Sequence, residues 1–450
     1  MRLAVGVAGT AAMVVLGVAC GLDISGLGPA APDGSVESGA VEAGPGEAAP
    51  DEASVDAGVE ASAEAAADGA VAAIHIVPAG PVTDPTGLAQ QTHLVYATHS
   101  ARWWLFWFDG AQPDQLQASS SPDFATWTQA TPLLMPGSHG NQGGDLSVAY
   151  ADLGGVDVVH VTLSLHFPAA SDRRHFHVRA TLSGGAIVYG TPAQLSMVND
   201  PKLVDPDGPA TMVASDGTVW DATGWANYQG TGNEVAWQSG TDQGSTWNGN
   251  FGGQQNIAAA TATINARAFA EMGTGSSSAP IALWELGDAE PDPTNVAWSQ
   301  PGIIGWQSAA NVFAGASQSA NDWDAVVVGP TDLRVVRRAL DGTMAHAKYD
   351  GNAWTSLPAP PPDPGLAEAG VVLLTDGEHV AIVTVAGDAA SSLRRVVWSG
   401  VAWGAWSTLQ GAPAARRDLS AWSSPGHYAV LWTETNGSSA DIVGMPVSFL

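Results

Sequence analysis

The sequence predicts an all-β body, and three observations carry that reading. Short Val/Ile/Leu/Trp runs alternate with Gly, Pro, Asn, Asp and Ser turns over residues 74–450. No stretch of that body shows a 3.6-residue apolar stripe. A polar residue followed two or three places later by a small apolar strand recurs seven times, beginning at Gln91, Asp145, Asp207, Asn265, Asp324, Glu368 and Asp418, with spacings of 44–62 residues. That period is close to the ~40–50 residues of a four-stranded propeller blade enlarged by loops. The expectation is a seven-bladed β-propeller. Six blades is the alternative, because the second repeat is weakly marked.

The N-terminus comes first in the chain and has a different character. Leu3 to Ala19 carries no charge and follows the single positive charge of Arg2. A short apolar run of this kind, ending in small residues, reads as an export signal and is too short for a membrane span of ~20 residues. Gly17-Val18-Ala19-Cys20 closes the run, and Cys20 is the only cysteine. This ending resembles the lipobox of bacterial lipoproteins, although Leu16 stands one place further from the cysteine than the usual leucine. The resemblance implies cleavage before Cys20 and lipidation of its thiol. Gly21 in place of a retention aspartate implies an outer-membrane or cell-surface address. An acylated Cys20 leaves the rest of the chain without a disulfide, a thiolate nucleophile or a cysteine metal site.

Residues 21–73 hold no aromatic and eleven acids, and no Lys or Arg occurs between Arg2 and Arg102. Such a segment cannot bury enough apolar surface to offset its ordering entropy, so the sequence predicts a disordered, self-repelling tether. The domain expectation is therefore a signal and lipidation site over 1–20, a linker over 21–73 and a propeller over 74–450. The formal net charge of −29 excludes nucleic acid as a partner and electrostatic adhesion to anionic lipid. The lipid would supply the membrane contact, and a monomer is expected.

Within the body, an aromatic recurs just past a polar turn at Trp127, Tyr189, Trp247, Trp306, Trp354 and Trp406. The last repeat, from Asp418, has room for only three strands. Ala73-Ile74-His75-Ile76-Val77 is expected to supply the fourth and close the ring. Arg102-Trp103-Trp104-Leu105-Phe106-Trp107-Phe108 places aromatics on both faces, as a strand buried on both sides requires.

Three turns carry a family likeness. Asp242-Gln243-Gly244-Ser245-Thr246-Trp247 resembles the Asp-box of sialidase-like propellers, with Gly240 where a serine is usual. Ser121-Pro122-Asp123-Phe124-Ala125-Thr126-Trp127 is similar to the turns of five-bladed glycosidases of the arabinanase kind. Tyr349-Asp350-Gly351-Asn352-Ala353-Trp354 resembles sugar-binding propeller lectins. Physically, Asp242, Gly244, Thr246, Trp247, Ser121, Asp123 and Trp127 read as structural: the Asp or Ser caps turn amides, Gly permits positive φ, and Trp wedges between blades.

The same likeness raises two activities. A sialidase site needs three arginines on one carboxylate, and the family's Phe-Arg-Ile-Pro motif is absent. Other glycoside hydrolysis needs carboxylates placed around one bond. The inner strands of a propeller start at one face, so Asp145, Asp207, Asp324, Glu368 and Asp418 are the catalytic candidates there. Gln91 and Asn265 share that ring, and with Arg102 they are the ligand-binding candidates. Crowded carboxylates of this kind also suit calcium, though the same residues simply start strands and cap turns in any loop. No other cofactor is implied. His175 and His177 lie on one strand face, as metal ligands would, and read as surface strand polarity in the absence of a third ligand. The expected function is a cell-envelope lipoprotein whose propeller binds carbohydrate or another extracellular ligand. A glycoside hydrolase, exo-sialidase-like or arabinanase-like, is the alternative. A protein-interaction platform using loops 136–144 and 285–295 is the third.

Overall fold

The computed structural model describes residues 73–77, 91–109, 112–136, 144–166, 173–195, 209–225, 233–241, 243–248, 258–260, 267–273, 278–286, 295–301, 310–313, 323–339, 342–362, 370–388, 391–436 and 439–449. Cys20, Asp207, Asp242, Asn265, Trp306 and Glu368, together with the tether 21–72, lie outside the described residues.

Seven antiparallel sheets account for every strand, and no helix occurs among the described residues. The innermost strands are Leu94–Ala97, Gly144–Asp152, Ala210–Val213, Arg267–Met272, Trp323–Gly329, Val371–Thr375 and Ala415–Ser424. They open blades 1 to 7 in that order. Each packs beside the next, and the seventh packs beside the first. The seven-bladed expectation holds, and the six-bladed alternative is set aside. Four of the seven repeat starts stand two or three residues before an inner strand, and Asp145 and Asp324 are the second residues of theirs. Asp418 lies deeper in its strand, at a β-bulge between Arg417 and Ser420, and adopts a left-handed φ of 54°.

Blade 7 is completed from the far end of the chain. Ile74–Val77 pairs antiparallel with Ser439–Pro446, with Ile74 opposite Gly444 and His75 opposite Val443. This satisfies the backbone donors of what would be a bare edge. In blade 2 two short strands, Ala186–Tyr189 and Ala193–Gln194, share the outer edge of Arg173–Ser183. In blade 3 Thr246–Asn248 and Ala258–Ala260 do the same for Asn233–Thr241.

The core lies in the seams between blades. The second strand of blade 1, Arg102–Asp109, shows why: residues 103 to 108 are all buried. Trp104, Phe106 and Phe108 face blade 2, packing with Val148, Val161 and Phe176. Trp103, Leu105 and Trp107 face blade 7, packing with Leu431, Ile442 and the flank of Ile74 and Ile76. Comparable apolar seams join blades 4 and 5, 5 and 6, and 6 and 7. The 7-to-1 seam adds a stacked pair, Tyr96 on His427 with ring centroids 3.4 Å apart, and a hydrogen bond from Ser420 Oγ to the Gln91 carbonyl of 2.8 Å. Removing residues 1–77 while leaving 78–450 is expected to lower the melting temperature by several degrees relative to a chain starting at Ala73, since the edge at Ile442–Gly444 loses its partner. Equal melting temperatures by calorimetry would count against a ring closed by Ile74–Val77.

Candidate functional site

The described members of the predicted polar ring do not form a carboxylate cluster. Asp145, Asp324 and Asp418 stand on blades 2, 5 and 7, with another blade between every pair. Asp324 is the most perturbed. Its Oδ2 accepts the amide of Leu373 on the inner strand of blade 6, and its Oδ1 accepts the amide of Ala325, both at 2.7 Å. Burial pushes its pKa up to about 8, against the downward pull of those two amides. Asp324 therefore ties two blades together and carries a proton near neutral pH. The Asp418 carboxylate lies 3.2 Å from Arg417 Nε. Gln91 is buried beneath blade 7. Arg102 opens the second strand of blade 1, opposite Ala97 at the far end of the inner strand; its Nε donates to Ser120 Oγ at 3.3 Å.

The aromatic turns join the third and outer strands of their blades. In blade 1, Asp123 Oδ1 accepts the amides of Ala125 (2.9 Å) and Thr126 (2.8 Å) and the hydroxyl of Ser121 (3.0 Å). Trp127 Nε1 donates to the Phe124 carbonyl, and Phe124 takes a φ of 63° to make that possible. Asp350 caps Asn352 and Ala353 in the same way in blade 5. In blade 3, Gly244 has a φ of 74°, and a Cβ on it would lie 2.7 Å from His177 Cε1. The Asp-box glycine is thus fixed by its conformation and by the imidazole beneath it.

That imidazole belongs to a polar seam between blades 2 and 3, where the structure corrects the expectation for His175 and His177. Both are buried, not on the surface. They sit on the third strand of blade 2 and face blade 3. His175 Nε2 lies 2.7 Å from Asp221 Oδ2 of blade 3, and its Nδ1 lies 2.7 Å from Ser164 Oγ. A neutral imidazole satisfies both contacts when Nε2–H donates to Asp221 and Nδ1 accepts from Ser164. Chemically this is the donor chain of a hydrolytic triad. Sterically it is sealed, because Ser164 is 1% exposed and His175 and Asp221 are 0% exposed. It serves as a bridge. Beside it His160 Nδ1 meets His177 Nε2 at 3.0 Å, and His177 lies edge-on to Trp247. Burial lowers the pKa of both His160 and His177 to about 3, helped in each by the charge of Arg179. Among the described residues no three His, Cys, Asp or Glu side chains are placed to hold one metal ion.

The arrangement best suited to a ligand lies between blades 5 and 6. Arg334, on the second strand of blade 5, forks onto both oxygens of Asp332 through Nε and Nη2, and Lys348 Nζ reaches Asp332 Oδ2 at 3.0 Å. Lys348 stands opposite Arg334 in the strand register, which brings the two cations to one carboxylate. Burial raises the pKa of Asp332, but Arg334 and Lys348 outweigh it and hold the carboxyl below its usual range. Arg334 Nη1 lies 3.4 Å from His346 Nε2. His346 lies edge-on to two indoles of blade 6, Trp398 at 5.5 Å and Trp403 at 5.2 Å. Burial lowers the His346 pKa to about 4, with the Arg334 charge adding to it. Side-chain exposure rises outward from Arg334 (11%) through Asp332 (18%) to Lys348 (31%). The fork, partly exposed at Asp332 and Lys348, therefore lies beside the buried His346 and Trp398 and the half-buried Trp403. In the sequence, the motifs on these two blades are Asp324, Asp350, Trp354 and Trp406, none of them part of the fork. The missing signal was Asp332-Leu333-Arg334 set against His346-Ala347-Lys348, a cross-strand pairing that only the register reveals.

The described arginines are spread over blades 1, 2, 4, 5, 6 and 7. Arg102 bonds Ser120, Arg179 bonds Gln243, Arg334 bonds Asp332, Arg338 bonds Thr384 and Arg416 bonds Glu434. Each of these five side chains is held by a different partner within the protein.

No family model and no curated protein matches the chain. Among solved structures, the six-bladed propeller lectin of Aleuria aurantia, described with a novel fucose recognition mode, aligns over 68% of this chain and 95% of its own at 12% identity and a TM-score of 0.42. Trypanosoma rangeli sialidase aligns over 83% of this chain and 58% of its own at 11% identity and a TM-score of 0.46. The NanB sialidase of Streptococcus pneumoniae aligns over 83% and 70% at 12% identity and a TM-score of 0.43. Likeness at this level carries no inference about ligand or reaction.

The buried ionisable groups set opposite pH trends. His93, His160, His177 and His346 hold folded pKa values of about 3 to 4 against 6.5 when unfolded, so their contribution is present above pH 6.5 and is lost as pH falls toward those values. Asp324 contributes fully below its unfolded value of 3.8, and that contribution is lost as pH rises toward 8. Thermal melts across pH 4 to 8 are expected to show a shallower acid-side slope for His177→Gln and a shallower neutral-side slope for Asp324→Asn. Slopes identical to the parent chain would refute both assignments.

Proposed function

We propose that this chain is a carbohydrate-binding propeller held at the cell envelope, with sugar bound at the cleft between blades 5 and 6. The observation that carries the reading is the Asp332–Arg334–Lys348 fork beside His346 and the indoles of Trp398 and Trp403. Sugars present vicinal hydroxyls, which paired charged donors and acceptors recognise, and apolar C–H faces, which pack on aromatic rings. The partial exposure of Lys348 and Asp332 leaves one side of the fork open to such a ligand. The envelope address is proposed on the charge-free run that ends at Cys20, with residues 21–73 as the spacer. Binding of the full chain to immobilised glycans, followed by calorimetry on the best ligand, tests the site. Arg334→Ala and Lys348→Ala are each expected to weaken affinity about tenfold or more, on the order of 1.4 kcal/mol, with the fold retained by circular dichroism. Undiminished affinity in both variants would remove the site from this cleft.

Asp324 favours a second reading, glycoside hydrolysis, because a carboxyl that keeps its proton near neutral pH is what a general acid needs. It accepts two amides and is buried where blades 5 and 6 meet, so the binding reading is preferred. The two readings separate on a panel of chromogenic aryl glycosides that includes a sialoside and an arabinofuranoside. The binding reading expects no turnover. Turnover that disappears in Asp324→Asn would replace it.

A further inference from the structure

Blade 6 carries a second contact surface, which shares Trp403 with the proposed sugar site and adds Trp406. After the outer strand of blade 5, Trp354–Leu357, the chain continues as Pro358-Ala359-Pro360-Pro361-Pro362. Proline fixes φ near −65°, and each residue preceding a proline is pushed out of the helical region, so this run is held in an extended polyproline-II form. It crosses from blade 5 onto blade 6. There the indole Nε1 of Trp403 donates to the Pro358 carbonyl at 2.9 Å, and that of Trp406 donates to the Pro361 carbonyl at 3.0 Å. The two accepting carbonyls are three residues apart, which is one turn of a polyproline-II helix. The two donating tryptophans are also three residues apart. Between the two bonded positions, Pro360 is buried, while Pro358, Ala359 and Pro362 stay exposed. The far side of Trp406 is braced by the Arg394 guanidinium, 5.6 Å from the ring centroid.

An indole pair that donates to carbonyls one polyproline turn apart, with the intervening proline buried, is a reader of that helix. The preformed ligand keeps the ordering cost low. The geometry points to Trp403 and Trp406 as a polyproline-II recognition site on blade 6, filled in this chain by its own residues 358–362. The ligand class is a proline-rich segment, and the resting occupant latches blade 5 to blade 6. The latch sits across the seam that holds His346, whose ring also faces the Pro358 carbonyl. It does not depend on sugar binding.

The test replaces residues 358–362 in the full chain with Gly-Ser-Gly-Ser-Gly and adds a peptide of residues 356–364 in trans. Indole N–H signals are followed by nuclear magnetic resonance. Saturable shifts at Trp403 and Trp406 are expected, with affinity on the order of millimolar. The parent chain, whose site is filled, should show none. A peptide with each proline changed to alanine should bind at least tenfold more weakly. No shift in the replaced chain, or equal binding by the alanine peptide, would overturn the assignment. Should the replaced chain fail to fold, Pro360→Gly and Trp406→Phe in the intact strap give a second measure. Pro360→Gly is expected to speed hydrogen exchange at both indoles about tenfold, and Trp406→Phe to speed it at Trp403. Unchanged exchange would equally overturn the proposal.

Discussion

The architecture depends on one constraint: each blade has two apolar faces and no helices to cover them, so every face must find a neighbouring blade. A row of such sheets leaves two bare faces at its ends, and only a ring removes them. The pairing of Ile74–Val77 with Ser439–Pro446 is the covalent logic of that ring, since it places the first described residues in the last sheet. The alternation in Arg102–Asp109 follows directly. A strand covered on both sides sends Trp104, Phe106 and Phe108 into one seam and Trp103, Leu105 and Trp107 into the next.

Once burial is fixed between blades, the character of each seam decides what it can do. Most of the described seams are apolar. The seam between blades 2 and 3 is instead built from His160, His175, His177, Ser164 and Asp221, and among the described residues His160 Nε2, Thr162 Oγ1, Asp221 Oδ1, Thr223 Oγ1 and Gln238 Oε1 find no hydrogen-bond partner. Each such atom is costly when buried, which makes this seam specific and sensitive to acid but closed to substrate. The seam between blades 5 and 6 combines charge with partial exposure, and that combination is the reason to place a ligand there. The proline strap bounds the same seam from outside and couples the two blades mechanically.

The comparison of the two polar seams bears on how sites are read from residue types. A Ser–His–Asp chain with ideal contacts is sealed, while a fork of Asp332, Arg334 and Lys348 with no catalytic signature is half open. Chemistry alone would have chosen the first. Exposure chooses the second.

The sequence by itself determined the strand class, the blade period, the repeat starts and the strand that closes the ring, because each rests on local pattern: apolar runs, turn residues and a fixed spacing. It also located the aromatic turns, whose Asp and Ser side chains bond amides two or three residues away. It could not show that Asp324 reaches Leu373, that His175 and His177 face inward, or that Arg334 stands opposite Lys348. Those facts depend on register and on which blade lies beside which, and neither is encoded within the reach of a single turn. For the same reason the Pro358–Pro362 run reads in sequence as a linker. Only the position of Trp403 and Trp406, some 45 residues further along the chain, makes it a ligand.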